Sequence, residues 1–308
     1  MSKRLRHIGP WIALALCLCA NALFASERRG WWENARDGAP GTSSQLSLRQ
    51  NHGTMPTKTH ARLRLQKQGN HYLAWIDNGF YAPVEITLHS RNPDAGEARP
   101  ALPLRISIPA RTTVLATRIR LTDTHPGHMF DLQMDTTPGP VSARPQDYHY
   151  RLPFESAPIR IDQGFGGTFS HLDPQNHYAI DFSLPEGTTI VAARDGTVMQ
   201  IESDSDLSGL SREPGGGRVN FIRILHNDGT MAIYAHLQET GILVQAGQHI
   251  LAGQAIARSG NTGLSTAPHL HFSIQVNRGE HLESIPFRIF SDQSELKFPR
   301  IEPLPYHP

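Results

Sequence analysis

Four histidines and one aspartate in the second half of the chain fall at spacings that could build a metal site. His177 and Asp181 are four residues apart, so on a strand or at its entry they point to one side. His236 closes the run Tyr234-Ala235-His236-Leu237. His269 and His271 stand two apart in Pro268-His269-Leu270-His271-Phe272. On a strand they project from one face, while Leu270 and Phe272 turn to the core. Each cluster alone is a weak signal, because a single strand histidine is commonly a hydrogen-bonded structural residue. Together they offer nitrogen and carboxylate ligands around an open position, the donor set of a catalytic zinc site. Two histidines and the aspartate would hold Zn2+. Two further histidines would move protons and stabilise a developing oxyanion.

The elements that must carry these residues read as short strands. Alternation suggests strands over 178–182, 189–193, 197–202, 219–225, 231–237 and 270–276. His226-Asn227-Asp228-Gly229 is a tight hairpin signal, since the Asp-Gly pair supplies the positive φ of such a turn. The stretch 203–217 is polar, ends in three glycines and reads as a long loop. Asn261-Thr262-Gly263 reads as a turn before the second His pair that could line the groove. Asn220 could face the site, though packing or loop capping is the default. Upstream, Val84, Ile86 and Leu88 share one face, Leu104, Ile106 and Ile108 another, and 114–121 reads as a further strand. Turn clusters separate them, which predicts a small β-sandwich-like accessory domain over 61–145. Its scattered histidines, His71, His89, His125 and His128, read as surface or packing residues. Thr136-Thr137-Pro138-Gly139-Pro140 and Arg144-Pro145 mark a linker. The expected architecture is all-β: the sandwich-like domain, an antiparallel β-sheet catalytic domain over 150–290, and a tail over 291–308.

The first 25 residues read as a secretory signal peptide. Lys3, Arg4 and Arg6 precede an apolar run over 11–24, and small alanines follow. At about 14 residues the run is short for a span that needs roughly 20. The expected location is therefore exported, in the periplasm or at the cell wall, with membrane contact only if the segment is retained. Residues 26–60 read as a flexible leader. Both cysteines, Cys17 and Cys19, lie inside the leading segment, so the mature chain would carry neither a disulfide nor a thiolate ligand. The net charge is +1 and no segment is strongly basic, which argues against a nucleic-acid partner. Oligomeric state is not legible.

Over about 150–280 the chain closely resembles the M23 metallopeptidases, the lysostaphin/LytM type of peptidoglycan endopeptidase. The resemblance runs through Tyr178-Ala179-Ile180-Asp181-Phe182, Pro185-Glu186-Gly187-Thr188 and Ala192-Ala193-Arg194-Asp195-Gly196. It continues through Tyr234-Ala235-His236-Leu237 and ends on Ser259-Gly260-Asn261-Thr262-Gly263 and Pro268-His269-Leu270-His271. It implies that His177 and Asp181 are the HxxxD metal pair and His271 the third ligand. It implies that His236 and His269 are catalytic. Gly166-Gly167-Thr168-Phe169-Ser170-His171 resembles a motif of a subset in which the Ser-His histidine replaces the usual ligand. His177 is preferred on its standard spacing, and His171 is the alternative. The resemblance implies a zinc endopeptidase that hydrolyses peptidoglycan cross-links with a metal-activated water and binds the peptide stems. A catalytically silent wall-binding or hydrolase-activating protein is the alternative. The intact ligand set favours activity.

Overall fold

The computed structural model describes residues 60–92, 94, 96–122, 131–203, 208–209, 219–291 and 294–298. The leading segment, nearly all of the expected leader, His125, His128 and most of the 203–217 loop lie outside the described residues. What is described is all-β, with twenty-one strands and no α-helix.

The first seven strands are β1 (Ala61–Gln68), β2 (His71–Asn78), β3 (Val84–Ser90), β4 (Gly96–Arg99), β5 (Leu104–Ile108), β6 (Thr113–Leu121) and β7 (Leu132–Pro138). They form two antiparallel sheets, in the orders β1-β2-β6-β4 and β5-β3-β7. The apolar alternation is what pairs them. Val84, Ile86 and Leu88 face Ile108, Ile106 and Leu104 across the β3–β5 ladder. Ile76, Val84, Ile86, Leu88 and Ile108 then bury together as the core of this sandwich.

The following strands are β8 (His149–Arg151), β9 (Ile161–Gln163), β10 (Ala179–Ser183), β11 (Thr189–Val191), β12 (Gly196–Glu202), β13 (Ser208–Gly209) and β14 (Phe221–Leu225). After them come β15 (Met231–Ala235), β16 (His249–Ile250), β17 (Ala255–Arg258), β18 (Gly263–Leu264), β19 (His269–Asn277), β20 (Leu282–Ile285) and β21 (Arg288–Phe290). Seven of them order as β16-β12-β14-β15-β19-β10-β9, with β20 added on β19, to make one eight-stranded sheet. Period-two alternation splits this sheet into an apolar and a chemical face. Leu270, Phe272 and Ile274 of β19 pack with Ile180, Phe182, Ile222, Ile224 and Tyr234 in the main core. The intervening residues of β10 and β19 turn the other way, and there the site is built.

The β14–β15 hairpin turns where the sequence expects it. Gly229 takes φ +83°, and Asp228 accepts hydrogen bonds from the backbone N–H and hydroxyl of Thr230. Asp228 also holds Arg194 at 2.8 Å, an ion pair whose side chains are almost fully buried. Residues 294–298 are not a loose extension of β21. The Leu296 N–H donates to the Ile289 carbonyl, and the Phe298 ring stands edge-on to Phe165 at 4.6 Å.

The sandwich closes against the end of the large sheet far from the His pair. Met199, Met231 and Leu282 of the sheet join the sandwich core. Asn277, the last residue of β19, donates its amide to the carbonyls of Thr137 and Gly139 at 3.2 and 2.7 Å.

Candidate functional site

Asp181 sits at the centre of β10 and His271 near the start of β19, and the two are partners across the ladder. Their side chains therefore leave the sheet on the same face, and His271 Nδ1 lies 2.9 Å from Asp181 Oδ1. The third group comes from a turn, not a strand. After β9 the chain winds through Gly164–His171, and the His171 N–H donates to the Gly167 carbonyl. His171 Nδ1 lies 2.8 Å from the Gly164 carbonyl. A carbonyl only accepts, so that contact puts the proton on Nδ1 and leaves the lone pair on Nε2. His171 Nε2 is 3.3 Å from Asp181 Oδ2, buried, and makes no hydrogen bond. Ligand atoms of His171, Asp181 and His271 all lie within 4.8 Å of one another.

The preferred pairing of His177 with Asp181 does not form, and this corrects the reading by spacing. The parity argument needs strand at both residues, but β10 begins at Ala179. His177 closes a turn instead. Its N–H donates to the Asp173 carbonyl, and its own carbonyl accepts from Gly166. Its ring stands edge-on to Tyr178 at 4.7 Å. The alternative histidine, His171, is the one the chain brings to Asp181.

His236 and His269 arrive beside this cluster, their ring centroids 4.2 Å apart. His236 follows β15 with φ +63°, a left-handed conformation that costs a non-glycine residue about 1–3 kcal/mol. The turn aims the ring so that Nδ1 lies 2.6 Å from the Thr262 carbonyl. Thr262 is itself braced, since its hydroxyl donates to the Leu237 carbonyl and accepts from the Asn220 N–H. His269 Nδ1 lies 2.8 Å from the Ala267 carbonyl and 3.1 Å from the Ser265 hydroxyl. In both rings a backbone carbonyl fixes the proton on Nδ1 and leaves Nε2 as the basic nitrogen. His269 Nε2 is 4.0 Å from Asp181 Oδ1.

Electrostatics sharpen the picture. Burial alone would raise the Asp181 carboxyl, but the His171 and His271 rings packed against its two oxygens hold it well below the usual carboxylate range. Burial lowers His271, against the pull of Asp181. Burial also lowers His236 far below the ordinary histidine value, and His269 and His271 add to it. The site therefore presents an ionised carboxylate beside the neutral imidazoles of His236 and His271. A cavity of about 210 Å³ opens above it, lined among others by Asp162, Gln163, Phe169, Asp181, His236 and His269. Two imidazole nitrogens and a carboxylate oxygen that converge beside an open cavity suit zinc, and the described residues contain no cysteine. Sequence reasoning missed Gln163 and Ser265. Neither residue type marks itself, and both become visible only through their contacts with Asp181 and His269.

Residues 175–283 match the family model described as Peptidase family M23. An uncharacterized metalloprotease of Haemophilus influenzae is 37% identical over 101 residues, which are 33% of this chain and 19% of that protein. Peptidoglycan DD-endopeptidase ShyA of Vibrio cholerae is 30% identical over 163 residues, 53% of this chain and 33% of that protein. The chain thus spans a third or less of the length of these relatives. The solved catalytic domain of the antimicrobial peptidase lysostaphin from Staphylococcus simulans is 37% identical. It covers 42% of this chain and 78% of that one, with a TM-score of 0.26. The stretch that supplies β10, β15 and β19, and with them Asp181, His236, His269 and His271, is therefore the stretch in which the chain is similar to peptidase family M23.

Proposed function

We propose that the chain is an exported zinc endopeptidase that hydrolyses the peptide cross-links of bacterial peptidoglycan. The observation that carries this is the convergence of His171, Asp181 and His271 within 4.8 Å, flanked by two more imidazoles. The named peptidoglycan endopeptidases among its relatives support the substrate class. The cysteine-free donor set of two imidazoles and one carboxylate supports zinc, and the basic and apolar leading residues support export. The division into an accessory domain over 61–145 and a peptidase domain over 150–290 belongs to the same proposal.

In this reading His171, Asp181 and His271 hold the ion. Zinc, when bound, acts as a Lewis acid toward the scissile carbonyl and lowers the pKa of water. The remaining work falls to the chain. His236, kept neutral by burial and oriented by Thr262, accepts the proton of the attacking water through Nε2. His269, oriented by Ala267 and Ser265, faces the same cavity and, with a second proton taken up on Nε2, donates to the carbonyl oxygen as charge develops on it. The cavity admits an extended peptide stem between the 163–170 turn and the 264–267 loop.

The test uses the purified full chain loaded with zinc on isolated sacculi. Clearing that stops with EDTA and returns with added zinc supports the proposal. Folded, zinc-loaded protein that releases no muropeptide fragments would favour the silent wall-binding or hydrolase-activating reading instead. Mass spectrometry of the fragments identifies the bond cut.

A further inference from the structure

We infer that Gln163 is a positioning residue of this site: one carboxamide fixes both the carboxylate of Asp181 and the turn that delivers His171. This rests on the reading of His171, Asp181 and His271 as metal ligands. Gln163 ends β9, on the edge of the sheet beside β10, where it pairs with Asp181. All four hydrogen-bonding capacities of its side chain are used. Nε2 donates to Asp181 Oδ2 at 2.9 Å and to the Ser170 hydroxyl at 2.7 Å. Oε1 accepts from the backbone N–H groups of Phe169 and Ser170, at 2.9 and 3.3 Å.

The partners leave only one way round for the amide. Asp181 Oδ2 can only accept and the two backbone groups can only donate, so nitrogen must face the carboxylate and oxygen the turn. The two halves of the group then do different work. The nitrogen orients the oxygen of Asp181 that faces His171, the other oxygen being met by His271. The oxygen ties down Phe169 and Ser170, the two residues immediately before His171. Without this tie, His171 would depend on its own bonds to Gly164 and Gly167. A ligand on a turn has no ladder to hold its register, unlike Asp181 and His271, so it needs such a brace.

Gly167 shows the seat from the other side. A Cβ there would lie 2.0 Å from Gln163 Cγ and 2.6 Å from Oε1, so any larger residue evicts the amide. The glycine pair in Gly166-Gly167 therefore has a second duty beyond turning the chain.

The test measures zinc affinity of the folded full chain by competition with a chelator, together with the absorption spectrum of the cobalt-substituted protein. Gln163→Met keeps the volume and removes all four bonds. The expected result is a 10- to 100-fold weaker zinc affinity, the usual cost of losing a group that orients a ligand, with an altered cobalt spectrum. Gly167→Ala should reproduce both changes with Gln163 intact. Ser170→Ala, which removes a single bond, should give a smaller change in the same direction and remains usable if Gln163→Met does not fold. Wild-type zinc affinity and cobalt spectrum in Gln163→Met and Gly167→Ala, or in Ser170→Ala where only that variant folds, would overturn the inference while leaving the zinc site standing. Failure of the wild-type chain to take up zinc at all would remove the ligand reading, and this inference with it.

Discussion

At the scale of single residues, the site separates groups that hold from groups that react. His171 and His177 lie six residues apart and only one of them reaches Asp181. His171→Ala should therefore weaken zinc binding by more than about 100-fold, beyond the range seen when an orienting neighbour is lost. His177→Ala should bind zinc as the parent does. Metal content after dialysis decides the matter, and the opposite pattern would restore the HxxxD pair. His236→Ala and His269→Ala should behave differently from both. Neither ring belongs to the three-donor cluster, so zinc should stay while cleavage of a soluble cross-linked muropeptide falls by about 10²–10⁴-fold, the range for a lost proton-transfer group. Loss of zinc together with activity would move either histidine from the reacting group to the holding group.

At the scale of elements, strands with strict alternation were legible, and turns were legible only where their residue types carry the geometry. The β19 residues His269 to Phe272 alternate between the site and the core, as their spacing indicates. Asp181 and His271 could be placed on neighbouring strands, and the ladder makes them direct partners. The reading failed where it carried strand parity two residues ahead of the start of β10, into the turn at His177. Hydrogen bonds between residues six to eighteen apart, such as those of Gln163, decide the path of the Gly164–His171 turn, and no local pattern reports them. The β14–β15 hairpin was readable because Asp228-Gly229 carries its own geometry. It also contains a buried titratable group. His226 sits at the foot of the hairpin, bonded through Nδ1 to the Asp195 carbonyl, and burial pushes it down to about 4 from 6.5. A folded value below the unfolded one means that the unfolded chain binds more protons between them. Stability contributed by this group is present above pH 6.5 and is lost as pH falls toward 4, by about 3 kcal/mol in total. Urea midpoints should drop across that window, and His226→Gln, which cannot titrate, should flatten the drop. An unchanged slope in His226→Gln would assign it to other groups.

At the scale of the whole molecule, β19 is a single element with a different task at each end. His269 and His271 serve the cavity at its start, and Asn277 closes the seam with the sandwich at its finish. Six residues of strand separate His271 from Asn277, about 20 Å. The described part of the sandwich therefore leaves the cavity open, and its apolar core runs on into Met199, Met231 and Leu282 of the large sheet. A shared core of this kind predicts that sandwich and sheet melt as one cooperative unit. Asn277→Ala leaves the Thr137 and Gly139 carbonyls without this donor and deprives the Gly279 N–H of its acceptor. It should destabilise the chain by about 1–3 kcal/mol. The transition should stay single but move to lower temperature, by about 2–4 °C for each kcal/mol. Cleavage of a soluble substrate below that temperature should match the parent, because the site end of β19 is held by its ladders to β10 and β15. Calorimetry that resolves two transitions in the parent would show the seam to be a contact between independent bodies. A cleavage defect in a folded Asn277→Ala protein would instead mean that the seam is felt along the full length of the strand.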